Sequence, residues 1–408
     1  MIAHHTNPKT STVRRYLPLA VVVSFGAFVR VFYLDYGLPQ NVYVDSFVTV
    51  GEAARMANST DWIPGEFVYP GFFKVLLGQI YAIFGVQQKY WLHLLARIIA
   101  ALADTSTVLV TFLVARQITG NTGAFLAAAL YAVCVISVGS ARIEAADTTL
   151  VFLMSSALLL LSLASNDLRS SASNDLRSSS VVGVDNRRQV FRRFFCYATS
   201  GLLIGVAAGT KYTGIYAGLL VPLFAADFIR RNREYGMAFR LVAVASIAVV
   251  LSFLLTTPWI VWLFDKYAQS FRIIYYAQSG GMIGRTQQSY FDYLFSMSLT
   301  VEQPWIGTSL LYNLGPVVLG SALLACALGL AGIFGTVGVV CAIYVLFYLF
   351  LVSAPGQIKA VRFLMPILPP LFALTGALVD RTATGMARRL RTPFVFAALI
   401  LLLAVPSW

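Results

Sequence analysis

Long apolar runs alternate with short polar breaks along almost the whole chain. Runs at 17–34, 125–139, 150–164 and 241–264 approach or reach the roughly 20 residues that span a bilayer core. Others at 91–118, 310–330, 337–352, 363–379 and 394–408 extend the series. The pattern predicts an all-α fold, a polytopic transmembrane helical bundle filling residues 1–408 as one domain. Between the first two runs, residues 46–57 place Phe47, Val50, Ala54 and Ala57 on one helical face. Thr49, Glu52, Arg55 and Ser59 fall on another, the signature of a helix lying along a membrane surface.

Composition agrees with that pattern. Of 408 residues 58% are hydrophobic and only 12% charged, about half the charge of a soluble domain. The net charge of +13 is carried by clusters between the apolar runs: Arg14/Arg15, Arg187/Arg188/Arg192/Arg193, Arg230/Arg231/Arg233/Arg240 and Arg381/Arg388/Arg389/Arg391. Basic loops stay on the cytoplasmic side, which threads the chain. Residues 35–90 form a first outer loop, 119–123 an inner turn and 140–147 an outer turn. Residues 165–195 form a cytoplasmic loop, 265–305 an outer loop and 354–362 a short outer turn. The run at 394–408 leads out and stops without a polar tail, which leaves room for a longer parent protein and a C-terminal soluble domain.

No aromatic-interleaved basic groove suggests nucleic acid. Cys134, Cys196, Cys326 and Cys341 lie outside the proposed outer loops and form no CxxC, so neither a disulfide framework nor a metal site is expected. The first run lacks a small-residue cleavage site and reads as a retained span.

Two stretches break the simple path. The segment 164–171 is repeated without change at 172–179, polar and Ser-rich, and reads as flexible linker. Residues 197–228 have arginines at both ends yet are too short for two crossings of roughly 20 residues each. They predict two short helices meeting at a re-entrant tip that holds Lys211; the rival is one long tilted span.

Candidate chemistry gathers at the outer ends. Asp45 follows the first span among aromatics, as a helix N-cap or as a placed carboxylate. Glu52 and Arg55 read as an i,i+3 pair. Asp61-Trp62 and Tyr69-Pro70-Gly71 precede a second short apolar segment, 72–84, that begins near Lys74. At the next outer turn Arg142, Glu144 and Asp147 sit between two spans, Arg142 expected to pair with one of the two acids; ionisable groups there are functional candidates.

These residues, in this order, resemble the GT-C glycosyltransferases that use polyprenyl-phosphate sugars, nearest to the protein mannosyltransferase and aminoarabinose transferase group. The likeness rests on Gly37-Leu-Pro39 with Asp45, Asp61-Trp62 with Tyr69-Pro70, and the Arg97 and Ala115-to-Gly120 segments. It continues through Ala141 to Asp147, Gly205 to Gly214 around Lys211, and Arg362 to Pro369. The resemblance implies a lipid-phosphate sugar donor, a protein, lipid or glycan acceptor outside the cytoplasm, and inversion at the sugar. It implies Asp45 as general base and Asp147 as the second outer acid. The chain departs from the pattern at Ser46, where a second carboxylate is common, and at Tyr69, where a basic residue is common and Lys74 is a possible substitute. Arg142, Lys211, Arg285, Lys359 and Arg362 are candidates to hold the donor phosphate, without metal or cofactor. Two other classes compete: a transporter or lipid flippase, favoured by Asp104 inside a span and by Lys211, and a structural membrane subunit.

Overall fold

The computed structural model describes residues 8–39, 45–174, 182–279, 289–295, 309–354 and 360–385. Among them the chain is helical throughout: α1 Pro8–Val31, α2 Glu52–Ala57, α3 Phe72–Phe84, α4 Lys89–Arg116, α5 Asn121–Val133, α6 Val135–Ala141, α7 Asp147–Asn174 and α8 Val182–Thr210. There follow α9 Leu220–Asn232, α10 Tyr235–Thr256, α11 Phe264–Ser279, α12 Asp292–Phe295, α13 Leu310–Leu330, α14 Gly335–Val352 and α15 Leu368–Thr384. Eight helices in the described residues are long and apolar enough to cross a membrane, nine if the bent pair α5–α6 is one span. The predicted multi-pass bundle is present. The run at 394–408 and the candidates Arg285 and Lys359 lie outside the described residues.

Three expectations change. Residues 197–228 are not a re-entrant tip. α8 begins before its arginines, so Arg187–Thr210 and Tyr212–Asn232 each reach crossing length. Counting only the apolar residues shortened a helix whose basic first turns can extend their heads past the bilayer edge. The chain does reverse at Lys211, as expected: its backbone is extended, and a 3₁₀ segment, Tyr212–Leu219, folds back with Gly214 against Ala207. The first copy of the duplicated segment, 164–171, is helical as part of α7, which ends at Asn174; 175–179 of the second copy lie outside the described residues. Finally, the run 125–139 is bent by 53° at Cys134, between α5 and α6.

That bend leaves carbonyls short of helical partners inside the apolar layer, where each needs donors; Tyr131 O keeps only the Cys134 amide, at 3.3 Å. Arg30 of α1 supplies them, donating to Ala132 O at 2.9 Å and Tyr131 O at 3.3 Å. Its charge is met by Asp104 of α4 at 2.6 Å, which also accepts from Tyr131 OH at 2.6 Å. Ser137 Oγ closes the set, and both charged side chains are 0% exposed. Asp104, the residue that favoured transport, is a structural counter-ion to a capping arginine.

Elsewhere small residues let helices approach closely. Gly201, Gly205 and Gly209 recur every fourth residue along α8, and a Cβ on the first two would stand 2.3 Å from the Ala245 and Val249 carbonyls of α10. All four cysteines are buried and free.

The bundle has two polar ends. At one, Asp227 of α9 binds Arg230, Arg231, Thr336 and Ser165, and Asp380 of α15 accepts from Thr119 and the Gly120 amide. At the other lie Asp45, Asp147, Lys211 and Arg362.

Candidate active site

Four elements converge at that second end. Asp45 precedes a π-turn, Phe47–Gly51, that runs into α2. Asp147 is the first residue of α7. Lys211 occupies the extended break after α8, and Arg362 stands in the 3₁₀ segment Val361–Ile367 that leads into α15. Helix ends and extended breaks leave side chains pointing along the bundle axis, which is why residues so distant in sequence meet here.

The Asp45 carbonyl accepts the amides of Val48 and Thr49 at the start of the π-turn, each at 3.1 Å. Ser46 takes the N-cap position with no side-chain cap bond, while the Asp45 carboxylate points across the site. Its Oδ2 accepts from Arg362 Nη2 at 2.8 Å and from Tyr69 OH at 2.8 Å. Arg362 Nε reaches towards Asp147 Oδ2 at 3.8 Å, and Asp147 Oδ1 accepts from Lys211 Nζ at 2.6 Å. Two carboxylates and two cations thus alternate in one connected line. The Lys211 ammonium also lies 4.5 Å from the Phe363 ring centre and 5.7 Å from that of Tyr69, within cation–π range. Of the four charged side chains Asp45 is the most open at 27%, against 14% for Arg362, 10% for Lys211 and 5% for Asp147.

Burial, and next the neighbouring Asp45 carboxylate, hold the Tyr69 phenol well above its ordinary pKa, despite the opposing Arg362 charge. Tyr69 is therefore a neutral hydrogen-bond donor to Asp45 and takes the place before Pro70 where a basic residue was expected. Lys74 does not fill that place. It is buried in α3 and committed to Glu66, bonding its carboxylate and, at 2.9 Å, its carbonyl oxygen. Gly71 between them adopts φ +148°, and the Trp259 ring packs so closely that a Cβ there would stand 2.4 Å from it.

Arg142 departs from its expected pairing. Its Nη2 donates to Val29 O of α1 at 2.5 Å, so it anchors the turn to the first span and pairs with neither Glu144 nor Asp147. Glu144 instead binds Arg97 Nε at 2.8 Å and His93 Nδ1 at 3.1 Å, both from the first three turns of α4. Arg97 Nη1 then donates to Leu34 O at 2.9 Å and Tyr36 O at 2.8 Å. For Glu144 burial raises the pKa, but the His93 bond and the Arg97 charge outweigh it and hold the carboxyl below its usual range.

The Glu52–Arg55 pair forms as expected at 3.2 Å. The predicted apolar face of residues 46–57 does not. Phe47 is exposed, whereas Val50, Ala53 and Met56 are buried with Ser46 and Thr49. The buried positions begin at Ser46 and recur at Thr49, Val50, Ala53 and Met56, so the face lies about one residue earlier than the sequence pattern predicts.

A family model described as dolichyl-phosphate-mannose-protein mannosyltransferase matches residues 70–173. No curated protein matches the chain by sequence. Among solved structures, ArnT from Cupriavidus metallidurans superposes with a TM-score of 0.62 at 18% identity, over 96% of this chain and 63% of that one. The same enzyme solved with undecaprenyl phosphate gives 0.62 at 17% identity, over 97% and 64%. The oligosaccharyltransferase AglB from Archaeoglobus fulgidus, solved with an inhibitory peptide and a dolichol-phosphate, gives 0.62 at 13% identity, over 97% and 55%. The chain has the fold of the GT-C membrane glycosyltransferases. It spans less than two thirds of the length of either of these proteins.

Proposed function

We propose that this chain is an integral-membrane glycosyltransferase, moving a sugar from a polyprenyl-phosphate donor to a hydroxyl or amine acceptor with inversion. The observation that carries the reading is the line Tyr69–Asp45–Arg362–Asp147–Lys211, gathered at one end of a GT-C fold. Transfer of a phosphate-linked sugar needs a base for the nucleophile and positive charge for the leaving group. Asp45, the most open acid, takes the acceptor proton as the new bond forms at the anomeric carbon. The bond from that carbon to the phosphate oxygen breaks, and the lipid phosphate leaves as an anion beside Arg362 and Lys211. Asp147 orients both cations through its two oxygens. The arginine-rich turns at Arg187–Arg193 and Arg230–Arg240 lie at the far ends of α8, α9 and α10, so positive-inside topology turns the site outward. In this reading the acceptor is a protein, lipid or glycan outside the cytoplasm.

Binding of undecaprenyl phosphate to the purified chain in detergent tests the assignment of the two cations. Losing one charge-assisted phosphate contact costs on the order of 1.5–3 kcal/mol, or about 10-fold to 100-fold in Kd. Arg362→Gln is expected to weaken binding by that amount while Asp45→Asn leaves it equal or tighter. Unchanged binding in Arg362→Gln removes the arginine from the donor site.

A further inference from the structure

Asp45 and Asp147 lie on turns that are remote in sequence, and both must be placed to within a fraction of an ångström of Arg362. One buried hydroxyl joins the two turns. Thr49 is 2% exposed, and its Oγ1 lies 3.2 Å from the Asp45 carbonyl oxygen and 3.2 Å from the Glu144 carbonyl oxygen. The Asp45 carbonyl already accepts the amides of Val48 and Thr49 at 3.1 Å, so the hydroxyl proton is available for Glu144. It reaches Glu144 from within the π-turn Phe47–Gly51.

Glu144 is held in turn. Its side chain is fixed to α4 by His93 and Arg97, and Arg97 ties the same point to the carbonyls of Leu34 and Tyr36, where α1 has ended. Three residues on from Glu144 stands Asp147. Every link from α4 to the two carboxylates is therefore a described contact, with Thr49 as the joint between its halves.

We propose that Thr49 is a positioning residue: its hydroxyl clips the Asp45 turn to the Asp147 turn, and the His93–Glu144–Arg97 set anchors the clip. The inference rests on Asp45 being the base. Thr49 touches no reacting atom, so its effect is on the rate of transfer and not on the capture of donor.

Thr49→Val keeps the size and branching of the side chain and removes only the hydroxyl. A misplacement of about 1 Å costs up to about 100-fold in rate, and loss of the clip is expected to lower kcat by about 10-fold with donor KM and undecaprenyl-phosphate binding within about twofold of the parent. Thr49→Ser restores the hydroxyl and is expected to return kcat to within about threefold of the parent. Parent kcat in Thr49→Val, or an equal loss in the serine and valine variants, overturns the clip. Should Thr49→Val fail to reach the membrane, serine and cysteine decide it: a higher kcat for Thr49→Ser than for Thr49→Cys supports the clip, and equal values overturn it. Asp45→Asn, run alongside, separates the two ideas. Full transfer in that variant removes the base, whereas loss of transfer there with parent kcat in Thr49→Val removes the clip alone.

Discussion

Two arginine–aspartate pairs among the described residues, Arg30–Asp104 and Arg362–Asp45, have similar contact distances and different surroundings. Arg30 and Asp104 are wholly enclosed; Arg30 also serves the two carbonyls freed at the α5–α6 bend, and tyrosine and serine hydroxyls complete the shell around Asp104. Arg362 and Asp45 stand at a helix-end junction, partly open, each within a line of alternating charges. The first pair satisfies a broken helix in a layer without water. The second holds polar groups ready where the bundle opens. Burial of an ion pair by itself thus points to neither stability nor chemistry; the groups around it decide.

Loss of the enclosed pair should appear as loss of protein. Breaking a buried ion pair by removing one partner costs about 3–5 kcal/mol. Arg30→Met also strips the donors from Tyr131 O and Ala132 O, so it is expected to lower membrane abundance and thermal stability more than Asp104→Asn does. Equal stability of the two variants would mean that capping the bend contributes nothing. At the open site the same kind of change should leave stability intact.

Gly71→Ala lies between these cases. It combines a backbone conformation that L residues rarely adopt with a Cβ driven into the Trp259 ring. Overpacking of this kind costs about 1–3 kcal/mol, and the displacement reaches Tyr69 two residues away. A drop in both unfolding temperature and transfer is expected; a drop in neither would show that Trp259 yields freely.

The smallest effect belongs to Tyr69→Phe, which removes one neutral hydrogen bond to Asp45, a contact worth about 0.5–1.5 kcal/mol. Transfer should fall about 2-fold to 10-fold with unchanged abundance. Because burial keeps the phenol protonated, the pH–rate profiles of parent and variant should have the same shape through the neutral range. A basic limb lost in Tyr69→Phe would show instead that the phenol ionises.

Much of this was legible in the chain and some was not. Apolar run length gave the spans, and the arginine clusters suggested a path that groups Asp45, Asp147 and Arg362 at one end; Lys211, expected at a re-entrant tip, joins them through Asp147. Tyr69 was legible only as an aromatic before Pro70; its bond to Asp45 depends on the Gly71 turn and on Trp259, which is far away in sequence. Arg142 looked as good a donor-holding cation as Arg362, and Lys74 looked like a substitute for the basic residue absent at Tyr69. Glu66 and the Val29 carbonyl, which claim them, can be ranked against other partners only once the loops are placed. The 197–228 segment misled because hydropathy counts residues and ignores how far an arginine stem can extend past a membrane edge. The face of residues 46–57 was misjudged because small and polar side chains, Ser46, Thr49 and Ala53, are buried where Phe47 was expected to be.

Transfer itself is the most direct test of the account. Membranes from a strain lacking the chromosomal copy would be supplied with either the parent chain or Asp45→Asn and a radiolabelled polyprenyl-phosphate sugar, and label passing to endogenous acceptors would be followed. Removal of a general base typically costs about 10²-fold to 10⁴-fold, so the parent is expected to transfer label while Asp45→Asn, present at equal abundance and still binding undecaprenyl phosphate, does not. Transfer by Asp45→Asn at the parent rate would contradict the account.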